Sequence, residues 1–359
     1  MTDKSSKVSL WKILLPTFLG VGIIVYMFAK DLLGEENASQ LEQLKNIDIT
    51  WHTIFWLFMA MLCMVGRDLG FTIRYRFLTD KLLSWKQSLK VTLLAEFGTA
   101  VTPSSVGGST MAVLFLAKEN IPVGKSTAMV FTTMLLDEMF FVVTFPIFLF
   151  LIPLYDLFPE ITGIKSIIVL FVAAYCVKLL LCILLIIGLF FKPQAVKWLI
   201  IKIFKLPFLR RWQLSAEKAG NDLILSSDEL KGRGFSYWAP LITATILSWS
   251  SRYLIVNAIF MAFFPVADHL LVFARQFVMW ILMILSITPG GSGLSELIFK
   301  HYLGSLIPIA GLVPVIIFIW RFFSYYTYLF IGAFLIPRWI SKAFSKQKEP
   351  TGNSQLSQK

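Results

Sequence analysis

The sequence predicts an all-α polytopic membrane protein with about six full spans and two re-entrant helical hairpins in an inverted repeat. Of its 359 residues, 57% are apolar and 15% are charged, and mean hydropathy is +0.74, whereas a soluble domain carries about a quarter charged residues. Several apolar runs reach the roughly 20 residues that a helix needs to cross a bilayer. Two proline-glycine motifs interrupt such runs, and they predict the hairpins.

Lysine and arginine between the apolar runs predict the topology, because these residues concentrate in cytoplasmic loops. Residues 1–9 form a basic, cytoplasmic N-terminus, and the first span, about 10–30, leads into an acidic loop that is expected outside. The second span, about 51–73, exits into a basic cytoplasmic loop that begins at Arg74. We therefore expect both termini to be cytoplasmic and the protein to lie in the cell (inner) membrane.

The first motif is Thr102-Pro103-Ser104-Ser105-Val106-Gly107-Gly108-Ser109, and it splits the apolar run at about 88–117. Lys118 and Lys125 follow this run, so both of its ends are expected in the cytoplasm. The piece after the break is about ten residues long, whereas a spanning helix needs about 17 or more. This length favours a re-entrant hairpin over the alternative of two short full spans.

The second motif is Thr288-Pro289-Gly290-Gly291-Ser292-Gly293, closed by Glu296, and it splits the run at about 270–303. This run is expected to enter as a hairpin from outside. The remaining spans are predicted at about 126–152, 164–191, 237–264 and 313–336. The tail, 341–359, is polar and is expected to be disordered.

A basic interfacial segment is predicted at 192–234. Between 192 and 211 it contains six lysines and arginines and no acidic residue, interleaved with apolar residues such as Trp198 and Ile203. That pattern is typical of a helix lying on an anionic cytoplasmic leaflet. An ordinary basic loop is the alternative interpretation.

The two halves of the chain carry similar features in corresponding positions. Arg67 and Arg252 precede the two motifs at matching distances, and Asp137 and Arg321 follow them at matching distances. Repeat units of about 51–152 and 237–337 with opposite orientations form an inverted repeat. In transporters of this kind the substrate binds at the repeat interface.

Charged residues inside predicted spans cost roughly 2.5–3.5 kcal/mol each in lipid, so they should face protein or water. Asp137, Glu138, Lys178 and Arg252 fall near mid-span, and they predict either structural ion pairs or a polar pocket for a lipid headgroup or a coupling ion. We expect Lys178 to pair with Asp137 or Glu138. Arg67 lies nearer a predicted helix end, where it either faces this pocket or snorkels to the interface.

Other residues around the motifs suit an anionic ligand. The planar fork of arginine matches phosphate, and backbone N–H groups at a helix start also face anions. Ser292 is expected to cap the helix after the second motif, while Glu296 either caps it or lines the pocket. Trp320 and Tyr325 belong to an aromatic cluster that forms either a lipid-facing belt or, beside Arg321, a groove for an acyl chain.

The candidate substrate-binding residues belong to the two motifs, to the charged residues of the predicted spans, or to the aromatic cluster beside Arg321. They are Arg67, Thr102, Pro103, Gly107, Gly108, Asp137, Glu138, Lys178, Arg252, Thr288, Pro289, Gly290, Gly291, Gly293, Glu296, Trp320, Arg321 and Tyr325. No catalytic residue, metal ligand or cofactor is predicted. Nucleic acid is not an expected partner, because the basic residues flank apolar runs.

Two blocks carry a resemblance to a known family. The first runs from Gly66-Arg67 through the first motif to Asp137, and the second runs from Thr288 through Glu296 to Trp320-Arg321. Over about residues 10–340, the transmembrane domain, the chain resembles the lysylphosphatidylglycerol synthase transmembrane-region family. The resemblance implies flipping of aminoacylated or otherwise modified lipids between leaflets. Some members carry a cytosolic aminoacyl-transferase domain for which this chain has no room, so we expect no synthase activity.

Three functions therefore remain open. The first is a lipid translocase that moves or binds a polar (phospho)lipid, with anionic or phosphate-bearing membrane lipids as partners. The second is an integral membrane transferase acting on a lipid or polyprenyl-phosphate donor, for which Asp137 and Glu138 would be the carboxylates. The third is a scaffold for a lipid-modifying enzyme partner.

Overall fold

The computed structural model describes residues 48–102, 106–158, 164–205, 210, 213–283, 286, 288–332 and 335. Within these ranges the regular elements are helices. The predicted first span, the two termini and Pro103 lie outside the described residues.

Twelve α-helices follow one another in the described chain. They are α1 (Trp51–Leu78), α2 (Trp85–Val101), α3 (Val106–Lys118), α4 (Val123–Leu151), α5 (Leu154–Leu157), α6 (Ile164–Ile186), α7 (Pro193–Phe204), α8 (Gln213–Lys231), α9 (Phe235–Phe263), α10 (His269–Leu282), α11 (Leu294–Leu303) and α12 (Leu312–Arg321). π-Helical turns extend α6 through Ile187–Phe191 and α12 through Phe322–Tyr326.

Five helical segments of the described chain are long and apolar enough to cross a membrane. They correspond to α1, α4, α6 with its π-helical turn, α9, and α12 with its continuation to Gly332. These segments agree with five of the six predicted spans. Helix α9 is the most buried of them. Helices α4 and α6 expose many large apolar side chains, such as Val143 and Phe150 of α4.

The end of α1 corrects the sequence prediction. The predicted span stopped at residue 73 and left Arg74 in a basic loop, but α1 continues to Leu78. Arg74 is only 2% exposed. The positive-inside pattern misled the prediction here, because an arginine that is paired inside the bundle resembles one that lies in a loop.

Helices α1 and α9 form the most extensive helix pair of the bundle, and they run antiparallel. Gly66 of α1 faces Ser251 of α9, and Gly70, four residues later, faces Ser248 and the carbonyl of Ala244. Small residues at this spacing let two helix backbones approach closely in a membrane. This contact fixes the central pair of helices, which carries Arg67, Arg74 and Arg252.

Each proline-glycine motif separates two helices that pack against each other, α2 with α3 and α10 with α11. Gln87, in the first turn of α2, donates a 2.8 Å hydrogen bond to Glu119 after α3. Arg275 of α10 donates a 3.1 Å hydrogen bond to the Tyr302 carbonyl of α11. In each pair, a hydrogen bond therefore joins the two helices away from the break that separates them.

Contacts among loop residues and residues near helix ends define the two ends of the bundle. At one end, Arg233 pairs with Asp80 at 2.7 Å and Lys125 pairs with Glu229 at 3.2 Å. At the other end, Arg275 donates a 2.7 Å hydrogen bond to the Asp156 carbonyl. The loops expected to be cytoplasmic and those expected outside are thus grouped at different ends.

Within the basic segment at 192–234, α7 (Pro193–Phe204) lies in the range 192–211 where one helix was expected, and α8 (Gln213–Lys231) follows it. Helix α7 carries the apolar and basic residues, and α8 is more polar and packs against both α7 and α4. Proline at its first position marks the start of α7 after the α6 segment.

Replacing Gly70 by leucine should separate α1 from α9. A Cβ atom at this position would lie 2.6 Å from the Ala244 carbonyl oxygen, so the backbones must move apart. We expect a loss of about 1–3 kcal/mol of stability, measured as a lower unfolding temperature of the detergent-solubilised protein. Leu69→Val, at an exposed neighbouring position, is the control. Equal unfolding temperatures for the two variants would contradict the proposed role of this contact.

Candidate functional site

The two helix breaks meet at one cavity of about 330 Å³ inside the bundle. Its lining includes Gly108 after the first break, and Gly290 and Gly291 in the second. The rest of the lining combines charged side chains with aromatic rings and small polar groups. A mixed apolar and polar lining of this kind is typical of ligand pockets.

The turn of the second motif depends on glycine. Gly290, Gly291 and Gly293 have φ angles of 57°, 69° and 93°, a left-handed region that side chains with a Cβ disfavour. A Cβ at Gly290 would in addition overlap the ring of Tyr325. The motif therefore forms a tight turn that brings main-chain groups to the cavity wall.

The start of α11 differs from the expectation that Ser292 is its N-cap. The N-cap is Gly293, and the Glu296 carboxylate accepts a 2.7 Å hydrogen bond from the Gly293 N–H and a 2.9 Å hydrogen bond from the Ser295 hydroxyl. Glu296 is fully buried and reaches back to the N-cap N–H, so it takes the capping role itself.

Arg321 holds this turn from the opposite helix. Its Nε lies 2.7 Å from Glu296 Oε1. Its terminal nitrogens donate hydrogen bonds to the Gly290 carbonyl at 3.2 Å and to the Ser292 hydroxyl at 3.1 Å. Because this ion pair and these hydrogen bonds all join Arg321 to the turn or its cap, Arg321 positions the second break as well as lining the cavity.

Tyr325 connects the two breaks. Its hydroxyl donates a 3.3 Å hydrogen bond to the carbonyl of Ala100 in the last turn of α2, while its ring lies against Gly290 and under Arg321. Tyr325 and Trp320 are buried and line the cavity. The interpretation of these two residues as part of a lipid-facing belt is therefore wrong. Phe322 and Phe330 of the same segment are exposed.

The predicted pairing of Lys178 is confirmed with Glu138. Lys178 Nζ donates to both carboxylate oxygens, at 3.1 and 3.0 Å, and lies 4.4 Å from the centre of the Phe141 ring. Asp137 pairs instead with Arg74 and accepts a 2.8 Å hydrogen bond from the Trp249 indole. Each of the two neighbouring carboxylates thus has its own cation.

Glu96 of α2 is one of the residues that sequence reasoning missed. It forms an ion pair with Arg67 of α1, and its carboxylate also lies 3.7 Å from Arg252 of α9. Arg67 is 1% exposed, so it does not snorkel to the interface. One carboxylate is therefore shared between the arginines that precede the two motifs.

Arg252 is held mainly by aromatic rings. Its guanidinium lies 4.4 Å from the centre of the Trp280 ring and 5.0 Å from that of Trp249, a geometry typical of cation–π contact. Arg252 lines the cavity together with Tyr253. The buried Tyr253 hydroxyl has no hydrogen-bond partner within the described part of the chain.

The structure brings most of the sequence-predicted site residues to the cavity lining. These are Gly108, Asp137, Glu138, Lys178, Arg252, Thr288, Gly290, Gly291, Trp320, Arg321 and Tyr325. A second group lies behind the lining or in the turns that support it, namely Arg67, Thr102, Gly107, Pro289, Gly293 and Glu296. Pro103 belongs to the undescribed part of the first break.

The missed residues left weak signals in the sequence. Glu96 is an acidic residue inside the apolar run before the first motif, the pattern that marks functional charges in membranes. Trp249 lies three residues before Arg252 and so shares its helix face. Nothing local to Trp280 or Tyr253 distinguishes them from ordinary core aromatics.

Comparison with known proteins places the chain among membrane proteins of one family. The model of the lysylphosphatidylglycerol synthase TM region matches residues 13–332. The chain belongs to this family. It is also similar to a UPF0104 membrane protein of Archaeoglobus fulgidus, at 26% identity over 331 residues, covering 87% of this chain and 94% of the relative. No solved structure matches the chain.

Family membership and the apolar helices identify an integral membrane protein. The family match includes both helix breaks and every cavity-lining residue, from Phe71 to Tyr328. The residues that line the cavity therefore all lie within the part of the chain that the family model matches.

Replacing Lys178 by methionine should destabilise the protein, because Glu138 would remain buried without its cation. We expect a loss of about 3–5 kcal/mol, typical of breaking one partner of a buried pair. Adding Glu138→Gln should recover most of that loss, whereas Asp137→Asn should not, since Asp137 pairs with Arg74. Thermal unfolding of the single and double variants in detergent measures the coupling. Additive effects of Lys178→Met and Glu138→Gln would argue against the pair.

Proposed function

We propose that this protein is a lipid translocase that binds the polar, phosphate-bearing headgroup of a membrane lipid in the cavity and moves it between leaflets. The headgroup would cross the membrane through the cavity between the two breaks, while the acyl chains remain in the bilayer. A volume of about 330 Å³ lies within the roughly 300–1,000 Å³ typical of ligand pockets.

The incomplete pairing of Arg252 carries this proposal. Glu96 is its nearest carboxylate, at 3.7 Å, and the same carboxylate pairs more closely with Arg67. Arg252 therefore presents positive charge to the cavity from between two tryptophan rings. A guanidinium in this state suits a phosphate oxygen, and the nearby Tyr253 hydroxyl can donate a second hydrogen bond.

The ion pairs around the cavity favour a translocase over a transferase. A transferase would use Asp137 and Glu138 as a base or as metal ligands, yet Asp137 is held by Arg74 and Glu138 by Lys178. These pairs instead neutralise the wall of a path through which a polar group passes. The cation at Arg252 then remains as the attractive element.

The two breaks supply the parts that would move. In transporters with interrupted helices, access alternates when one repeat rocks against the other around a fixed site. We propose that the α2–α3 and α10–α11 pairs are re-entrant hairpins of an inverted repeat, and that their tips separate as the headgroup passes. Tyr325, which contacts both tips, would be the contact that opens.

Arg252→Gln should reduce translocation of a fluorescent phosphatidylglycerol in proteoliposomes by about tenfold or more, the effect expected for losing a charge-assisted hydrogen bond. Because Glu96 keeps Arg67 as its partner, the variant should still insert and fold. Arg252→Lys should retain part of the activity, since it keeps the charge and loses the planar fork.

Arg210→Gln, at an exposed position, is the matched control for the loss of one positive charge. Its translocation rate should equal the parental rate. The proposal is wrong if Arg252→Gln also flips the lipid at the parental rate.

The charge pattern of the loops predicts that the Asp156 end faces outward and that the end formed by Asp80 and Arg233 is cytoplasmic. In a cysteine-free background, a membrane-impermeant maleimide added to intact cells should label Tyr155→Cys but not Lys86→Cys. Both side chains are exposed in the structure. Labelling of position 155 only after permeabilisation would reverse this topology.

A further inference from the structure

Helix α7 turns away from the end of a membrane-spanning helix. The span ends in the π-helical turn at Phe191, and Pro193 begins α7. A Cβ atom at Gly188 would come within 2.9 Å of the Val196 side chain, so α7 bends back beside the turn instead of extending it. The chain therefore places α7 directly beside the end of the α6 segment.

One face of α7 is already occupied by protein. Lys197 donates a 2.6 Å hydrogen bond to Asn221 of α8, and its aliphatic stem covers Gly220. The opposite face has no cover within the described residues. There Leu199 and Ile203, four residues apart on one side of the helix, are 50% and 45% exposed, and Trp198, which flanks them, is 60% exposed.

Positive charge borders this exposed face. The segment from Lys192 to Lys205 contains four lysines and no acidic residue. Lys202 Nζ lies 4.7 Å from the centre of the Trp198 ring, beside the apolar stripe. A lysine with its stem on apolar surface and its ammonium next to an indole is typical of a membrane interface.

We propose that the exposed face of α7 is a binding site for anionic phospholipids of the leaflet at this end of the bundle. Trp198, Leu199 and Ile203 would enter the boundary between headgroups and acyl chains, and Lys202 and Lys205 would contact the phosphates. Continuity with the α6 span and charge complementarity identify this occupant. The inference stands apart from the translocation proposal, because α7 contributes nothing to the cavity lining.

The site has a structural consequence within the same unit. Helix α8 packs against α7 on one side and α4 on the other, and Gly124 of α4 lies against Asp222 and Leu223 of α8. Binding of α7 to lipid would thus hold α8 against the end of a span. Anionic lipid would stabilise this end of the bundle, whatever passes through the cavity.

Spin labelling of the full-length protein in nanodiscs tests the proposal. Cys63, Cys176 and Cys182 are replaced, and a nitroxide is attached at Leu199→Cys or, as the matched control on α8, at exposed Glu217→Cys. Accessibility to oxygen, which partitions into lipid, is compared with accessibility to a water-soluble nickel chelate. Discs of phosphatidylcholine alone are compared with discs that also contain phosphatidylglycerol.

The label at 199 should favour oxygen, the label at 217 should favour the nickel chelate, and phosphatidylglycerol should strengthen the preference at 199. Lys202→Gln with Lys205→Gln should reduce that strengthening about threefold or more, because each lysine near an anionic surface contributes to binding. Lys218→Gln with Lys231→Gln on α8 removes the same charge and should leave it unchanged.

Three results would overturn the proposal. A label at 199 as accessible to the nickel chelate as the label at 217, in both kinds of disc, would mean that α7 lies in water. A label shielded from both reagents would mean that a protein, either a second copy of this chain or another partner, covers the face. A preference for oxygen that phosphatidylglycerol and the two lysine replacements leave unchanged would also overturn the assignment to anionic lipid.

Discussion

The Glu96 carboxylate is the interaction on which the centre of this molecule depends. It lies between Arg67 of α1 and Arg252 of α9, so one negative charge supports two cations in a region where charges are costly. The first break follows Glu96 on α2, and the antiparallel pair of α1 and α9 carries both arginines. The same contact therefore joins the broken helix to the central helix pair, and it leaves Arg252 with charge to offer a ligand.

Local rules predicted much of the fold. The apolar runs located the five described spans, and the Pro-Gly sequences located both breaks, because helix periodicity and helix-breaking residues are local properties. Prediction failed where a tertiary partner decided the outcome. Arg74 resembled a loop cation because its pairing with Asp137 of α4 is invisible in sequence, and Ser292 lost the N-cap position when the turn placed Gly293 there.

The site residues were predicted where a local rule applied and were missed where a tertiary partner decided their role. Charges at mid-span must be compensated, so the pairing of Lys178 with an acid on α4 followed from depth and sign alone. Glu96 and the tryptophan pair around Arg252 required knowledge of which helices are neighbours, since three separate helices, α2, α9 and α10, supply them. Long-range convergence of this kind has no local sequence signal.

Photo-crosslinking tests most directly whether a phosphate-bearing headgroup occupies the cavity. A phosphatidylglycerol with a diazirine in its headgroup would be reconstituted with the unmodified protein, and adducts would be mapped by mass spectrometry. The account predicts adducts on cavity residues beside Arg252, namely Trp249, Tyr253 and Trp280. Adducts confined to apolar residues on the outside of α4, such as Val143 and Phe150, would show that the headgroup stays outside the bundle and would contradict it.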